Sequence, residues 1–382
     1  MERLRECMEE LMKFTLQSHI DKSLNFELGL SPEFCSNLLI SDPAHSDSDP
    51  PDILKGVPSY PLYKHLALAF YQSIVSGSIC NRQDNLALMC DDISMKQKEE
   101  WNELVSNKGL ELINIMKNID LELHVEEPFF ILLRDGLKTI EGRCAVGKYD
   151  NIEPGAKILV NKCLLLEVQD VHHYATFSKM LEAENISQVL PGVKSIEEGL
   201  KIYRKFYTEE KERCNGVLAI CVSSLVVQPS ILLAFILFKL SYEGVQSLLG
   251  LAHTTGTISG ALPPPKSTLL SSFMLPYNPD VQGSTLTRGA RALSKHVDRS
   301  GNRFWGILDG SDSNKNNLAA CVITHLISNC CWLNVYIVRP HGSVFEIRVA
   351  EGYGARWSKD GTKFIGFLEP YMDDGHLKGW KH

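Results

Sequence analysis

Along residues 1–20 the apolar positions Leu4, Met8, Leu11 and Phe14 recur three or four apart, a spacing that predicts an amphipathic helix. The same period predicts helices from Tyr60 to Val75 and from Lys96 to Met116, the second with Trp101, Leu104, Leu110, Ile113 and Met116 on one face. Between the first two, SDPAHSDSDPPD has no period and carries proline and charge, so residues 41–58 are expected to form a disordered loop. From Leu121 the pattern shortens. LELHV reads as a strand, Pro128 opens PFFILLRD as a short helix that Gly136 stops, and KTIEGR reads as the next strand. KILVNKCLLLEVQDV predicts two strands joined at Asn161 and Lys162. A helix ending near Glu184 follows, then one from Ile196 to Phe206 started by the Ser195/Glu198 capping box, and GVLAICV closes the run as a buried strand. Strands with helices inserted between them predict a small mixed barrel.

ILLAFILF, residues 231–238, is far short of the ~20 apolar residues that a bilayer crossing needs, so it is expected as a buried helix or strand. Residues 252–284 are rich in Gly, Ser, Thr and Pro, the composition of a linker. After them come a helix near Lys315 to Ile327, the hairpin WLNVYIVRP-HG-SVFEIRV and aromatic-rich strands. The pattern thus predicts a multidomain α+β chain: a helical region over 1–120, a barrel over 121–225, an apolar segment and linker over 226–284, and an α+β domain over 285–382. The length of 382 residues agrees, at roughly 150 residues per domain.

Charge adds a contrast between these parts. The net charge of −7 excludes a uniformly basic surface, yet residues 285–382 hold 13 Lys and Arg against 9 Asp and Glu, leaving −11 on the rest. A site for polyanions is therefore expected to be local. The 11 cysteines form no C-x-x-C pair and read as reduced thiols. With no signal-like start and no membrane span in the pattern, the expected setting is the cytoplasm, the nucleus or both. The N-terminal helices carry no chemistry, and a surface for protein partners is their default reading.

The chemistry concentrates in GLKTIEGR, residues 136–143. On a strand Glu141 and Arg143 point to the same face, with Lys138 at the entry. These three can simply pair as ions, or they can line a pocket for a polar ligand with donor and acceptor edges, such as a nucleobase. Together with FFILLRDG, the turn IEPGAKI, the helix TFSKMLEAENI and IEEGLKIYRKFY, the motif G-x-K-T-x-E-x-R at Gly136, Lys138, Thr139, Glu141 and Arg143 resembles an ASCH domain over about 121–222. ASCH domains are PUA-like barrels named after activating signal cointegrator homology. The resemblance implies a cleft lined by the K-x-x-E-x-R strand, in a superfamily associated with RNA binding and transcription coactivation. It implies nucleotide or RNA binding by Lys138, Thr139, Glu141 and Arg143, with Glu184 at the rim. Apart from the resemblance, Tyr149, Tyr203 and Tyr207 could each stack a base, although core packing is the commoner fate of such tyrosines.

One enzymatic branch of the family hydrolyses N4-acetylcytidine. Its active residues resemble Lys138 and the acid Glu184, but this chain has Glu141 where that branch has a threonine. Catalysis would then need Glu141 or Glu184 to activate a water while Lys138 steadies the oxyanion. Non-catalytic binding of RNA or a modified nucleoside is the favoured expectation. The alternatives are this amidohydrolase and a protein-interaction scaffold. No cofactor and no metal is expected: His172 and His173, adjacent on a strand, face opposite ways, and a solvated turn is their plainer reading.

In the C-terminal part Arg288, Arg291, Lys295 and Arg299 fall at helical steps and predict a basic stripe for successive phosphates, while Arg356 and Trp357 in GYGARW are candidates for stacking on unpaired bases. The final GWKH is expected to pack through its tryptophan.

Overall fold

The protein is described by a computed structural model over residues 2–23, 27–42, 55–79, 93–149, 151–281, 283, 285–298 and 303–370. Most of the loop expected at 41–58, Arg299 and the terminal DDGHLKGWKH lie outside the described residues.

In chain order the helices before the first strand are α1 (Glu2–Ile20), α2 (Pro32–Leu39), α3 (Leu62–Ser76), α4 (Met95–Leu104) and α5 (Leu110–Lys117). Then come β1 (Leu121–Leu123), α6 (Phe129–Arg134), β2 (Ile140–Cys144), β3 (Lys157–Val160), β4 (Leu164–Tyr174), α7 (Phe177–Ala183), α8 (Ile186–Val189), α9 (Ile196–Tyr203), α10 (Glu209–Asn215) and β5 (Val217–Ser224). The remainder is α11 (Pro229–Leu248), α12 (Lys266–Met274), α13 (Arg288–Leu293), α14 (Asp312–Asn329), β6 (Trp332–Val338), β7 (Gly342–Arg348), β8 (Gly354–Ser358) and β9 (Phe364–Leu368). The single helix expected from Lys96 to Met116 is instead α4 and α5 joined by a π-turn at Val105–Gly109. Two compact units result, one of residues 1–15 with 110–234, the other of 16–109 with 235–382. The N-terminal helical region is therefore divided between them rather than standing as a domain.

The first unit carries a curled five-stranded half-barrel in the order β1-β3-β4-β5-β2, with β1 parallel to β3 and the other pairs antiparallel. Asn161 and Lys162 turn β3 into β4 with φ of 49° and 58°, left-handed values that asparagine tolerates best among ordinary residues. Gly136, at φ 71°, ends α6 as its sequence position predicts. Ile140, Cys144, Val217 and Ala219 from the sheet meet Phe177, Met180, Leu181, Val189 and Tyr203 from the helices in one dry core. Glu212 of α10 anchors this layer. Its buried carboxylate accepts from the Phe177 N–H and pairs with Arg204, so it ties the start of α7 to the end of α9.

In the second unit β6-β7-β8-β9 form an antiparallel meander. Alternation sends Leu333, Val335, Phe345, Ile347 and Trp357 into the core and Asn334, Tyr336, Glu346, Arg348 and Arg356 to the opposite face. The expected linker is structured. Residues 252–258 run along the edge of β6, where the Ala252 and Ile258 N–H groups donate to Leu333 O and Val335 O at 2.8 and 2.9 Å. Residues 56–57, at the end of the expected loop, are likewise fixed, donating to Cys330 O and Ile327 O at 2.8 Å each. ILLAFILF belongs to α11, whose helical path breaks at Ser241 (φ 57°, ψ −169°); by length and composition the whole segment would suffice to cross a bilayer, and 61% of its apolar window is buried, as in a core helix.

Candidate functional site

The cleft of the first unit begins at β2. Pairing with β5 puts Glu141 opposite Ile220 and Arg143 opposite Leu218, so both side chains leave the same face, as the two-residue period requires. Lys138 precedes the strand and turns inward. It is 2% exposed, and its ammonium donates to Ile140 O at 2.7 Å and to Val189 O while pairing with Glu141 Oε2 at 3.1 Å. All three of its protons are thereby committed. Burial is the dominant influence on Lys138 and lowers its pKa, with Glu141 opposing. Burial alone would raise the Glu141 carboxyl, but the Lys138 and Arg143 charges overcome it and hold Glu141 below its ordinary 4.5. For Arg143 burial acts downward and is outweighed by Glu141 and by the Tyr207 phenol, so the guanidinium stays charged.

Arg143 Nη2 donates to His124 O at 2.7 Å. Its Nε lies 2.8 Å from Glu141 Oε1, an ion pair by distance that is not aligned as a hydrogen bond. Around this polar floor stand Phe129, Leu190, Ile202, Tyr203, Phe206 and Tyr207, enclosing a cleft of about 220 Å³. Phe206 is 48% exposed at its mouth. Tyr203 stacks on Phe177 with ring centroids 4.1 Å apart, and its buried hydroxyl has no hydrogen-bond partner among the described residues. That hydroxyl sits against Gly142, where a Cβ would come within 2.3 Å of it. Glycine at 142 is what lets the strand and α9 close on each other. Phe206 and Ile202 were not singled out by the sequence; α9 ends at Tyr203, short of the Phe206 expected, and the turn behind it brings Phe206 to the cleft.

Other expected site residues fall elsewhere. Glu184 does not line the cleft: as the residue capping the C-terminus of α7 it turns toward β4, accepting from His172 Nδ1 at 2.6 Å and the Tyr174 hydroxyl at 2.7 Å. His172, on a strand rather than in a turn, also reaches Asp170 at 3.1 Å. These contacts raise its pKa, the Glu184 hydrogen bond most. Thr139 uses its backbone to bond Gln188 O and the Val222 N–H, and Tyr149 lies beneath Lys148 in a short turn, so neither forms a cleft wall. No group of three or more His, Cys, Asp or Glu side chains is placed to hold a metal among the described residues.

In the second unit Trp357 is fully buried between Phe345 and Phe364 and donates to Leu269 O at 3.2 Å; it is a core residue and offers no face to a base. Arg356 is spent on Glu346, with Nε at 2.8 Å and Nη2 at 2.6 Å from Oε2. Arg348 at 2.7 Å and the Tyr336 hydroxyl at 2.6 Å complete the shell of that carboxylate, which is 0% exposed. Arg288, Arg291 and Lys295 are exposed, on α13 and the turn behind it. The Arg291 guanidinium lies 5.4 Å over the ring of Tyr277, itself 44% exposed, an aromatic that the sequence reading did not single out.

The ASCH domain family model matches residues 123–225. A second model, the CdiA C-terminal tRNase toxin domain, matches residues 278–369. Two solved structures resemble the same stretch as the first match. The hypothetical protein PH0355 is 43% identical, over 28% of this chain and 98% of its own, with TM-score 0.27. The protein PF0455 from Pyrococcus furiosus is 42% identical over the same shares, with TM-score 0.26. No curated protein matches the chain.

Proposed function

Because the chain belongs to the ASCH family through residues 123–225, we propose that it binds RNA by taking a single unpaired base, or a modified nucleoside, into the cleft over β2. The observation that carries this is the pairing of an aromatic and aliphatic wall with a floor whose donors are already used. Lys138 has no proton left for a phosphate, and Arg143 is engaged by Glu141 and His124 O. What the floor offers is the remaining lone pairs of Glu141, which suit the amino or imino edge of a base, while Phe206 and Tyr207 supply surfaces for stacking. Such a role fits RNA metabolism or transcription coactivation, in cytoplasm or nucleus.

The amidohydrolase alternative loses its parts in this geometry. Lys138 cannot steady an oxyanion with protons that serve Ile140 O, Val189 O and Glu141, and Glu184 is held by His172 and Tyr174. The test is fluorescence anisotropy of the full chain with a short single-stranded RNA, alongside incubation with N4-acetylcytidine. Affinity that weakens by about tenfold in Phe206→Ala, at one to a few kcal/mol per stacked base, is the expected result. Release of cytidine, or binding indifferent to Phe206 and Arg143, would overturn the reading; a protein scaffold without RNA affinity is the remaining class.

A second reading concerns the other unit. The match of residues 278–369 to a tRNase toxin domain, together with the exposed Arg288, Arg291 and Lys295 beside Tyr277, supports contact of this unit with RNA phosphates. Its affinity is expected to fall steeply with salt and to lose slope when the three cations are neutralised.

A further inference from the structure

Glu369 follows β9 and is 5% exposed, yet it is not paired with any Lys or Arg side chain among the described residues. Its carboxylate accepts from His296 Nδ1 at 2.7 Å and from the Trp305 indole N–H at 3.1 and 3.2 Å. Arg348 Nη1 fixes the backbone beside it, donating to Glu369 O at 3.0 Å and Gly352 O at 2.7 Å. The imidazole is packed edge-on against Trp305 and Phe367, with centroids 5.7 and 5.9 Å away. It is therefore held by ring contacts on two sides and by the carboxylate at Nδ1. When neutral, His296 donates from Nδ1 to Glu369, and the lone pair is on Nε2. No hydrogen bond among the described residues engages Nε2. His296 directly follows Lys295, in the turn that continues the solvent-facing cations of α13.

A carboxylate that orients an imidazole, next to a strip of cations, is an arrangement for general base catalysis on a phosphodiester. We propose that His296 is the catalytic base, and Glu369 its positioning residue, of a ribonuclease site in the second unit. The proposal rests on the reading that this unit contacts RNA. Nε2 takes the proton of a ribose 2′-hydroxyl, and the 2′-oxygen forms a bond to the adjacent phosphorus. The bond from phosphorus to the 5′-oxygen breaks, and that oxygen receives a proton through solvent from the imidazolium. The proton count closes with no water consumed, giving a 2′,3′-cyclic phosphate and a 5′-hydroxyl end. The substrate class is RNA with an unpaired, flexible segment, since the 2′-oxygen must come into line with the leaving oxygen. DNA has no such nucleophile.

The experiment incubates the full chain with unfractionated tRNA and with a 5′-labelled single-stranded RNA of mixed sequence, without added metal, and reads cleavage by gel and product ends by mass spectrometry. Cleavage to cyclic phosphate ends is expected, absent where a single 2′-deoxy nucleotide replaces the cut residue. His296→Ala is expected to lower the rate by at least about 100-fold. Glu369→Gln is expected to lower kcat on the order of 10- to 100-fold with KM unchanged, whereas a merely structural loss would track the melting midpoint. Should His296→Ala lose its cooperative melt, His296→Gln is read in its place. Cleavage at the original rate in folded variants of His296 overturns the proposal, as does cleavage of the 2′-deoxy substrate. Salt-dependent binding without cleavage overturns the dyad but leaves RNA contact by this unit standing; neither binding nor cleavage removes both.

Discussion

Glu141 and Glu346 are the same chemical device in two settings: each is a carboxylate on a strand, flanked by two cations and a tyrosine. Glu346 has Arg348, Arg356 and the Tyr336 hydroxyl, and is 0% exposed. Glu141 has Lys138, Arg143 and the nearby Tyr203 ring, and opens onto a cleft of about 220 Å³. In both, burial would raise the carboxyl and the flanking cations win, lowering it. The difference is what covers each one. At Glu346 neighbouring side chains of the sheet face complete the shell, so the network holds the fold. At Glu141 the cover is a wall of rings that leaves an open cavity, so an equivalent ion cluster becomes the floor of a cleft. An ion cluster by itself therefore says little about function; the space beside it decides.

The sharpest break of this comparison is Glu346→Gln, which leaves two guanidinium groups around a neutral side chain in a dry site. It should cost about 3–5 kcal/mol of stability in urea unfolding, because removing one partner of a buried pair strands the others. Glu141→Gln should cost less, about 1.5–3 kcal/mol, since water in the cleft can serve Arg143, while weakening RNA affinity more than Glu346→Gln does. Both carboxyls sit below their ordinary 4.5 in the fold. Their contribution is therefore complete above that range and lost as pH falls through the folded values, and acid melting midpoints of the two variants should depend less on pH than the parent's. Gly142→Ala brings a Cβ within 2.3 Å of the Tyr203 hydroxyl, so a loss of about 1–3 kcal/mol with a narrowed cleft is expected, read by melting and by anisotropy together. The smallest effect belongs to His172. Its raised pKa means that its contacts with Glu184 and Asp170 stabilise at low pH and fade as pH rises through its folded value, upward of 6.5. With the side chain 42% exposed, the change is held under about 1 kcal/mol and vanishes in His172→Gln, as melting between pH 6 and pH 9 would show.

Much of the first unit was legible in the residues. The two-residue period of IEGR put Glu141 and Arg143 on one face, and the turn at Asn161 and Lys162, the stop at Gly136 and the cap at Ser195 are local signals that the structure repeats. What was not legible depended on where a side chain turns. Lys138 lies before the strand, so no period governs it, and its carbonyl partner Val189 is 51 positions away. Glu184 occupies the motif position but caps a helix whose end faces β4. Trp357 reads as an aromatic in a basic stretch, and its burial follows from long-range pairing with β7 and packing on Leu269. His296 and Glu369, 73 residues apart, meet only because β9 returns to α13. Residues 252–258 escaped notice for a different reason: their bonds to β6 are made by the backbone and by the Thr254 and Thr257 hydroxyls on Asn334, neither of which shows as a hydrophobic period.

That backbone attachment has a further effect on how the second sheet behaves among other proteins. An unpaired outer strand is a template on which neighbouring chains can assemble, and the strip over β6 occupies the template before any neighbour arrives. The seal is open to damage at two kinds of position: a proline at 252 or 258 would remove the amide hydrogens that fasten the strip, and a side chain at Gly256, whose φ is 90°, would strain the backbone whose carbonyl accepts from the Ile337 N–H.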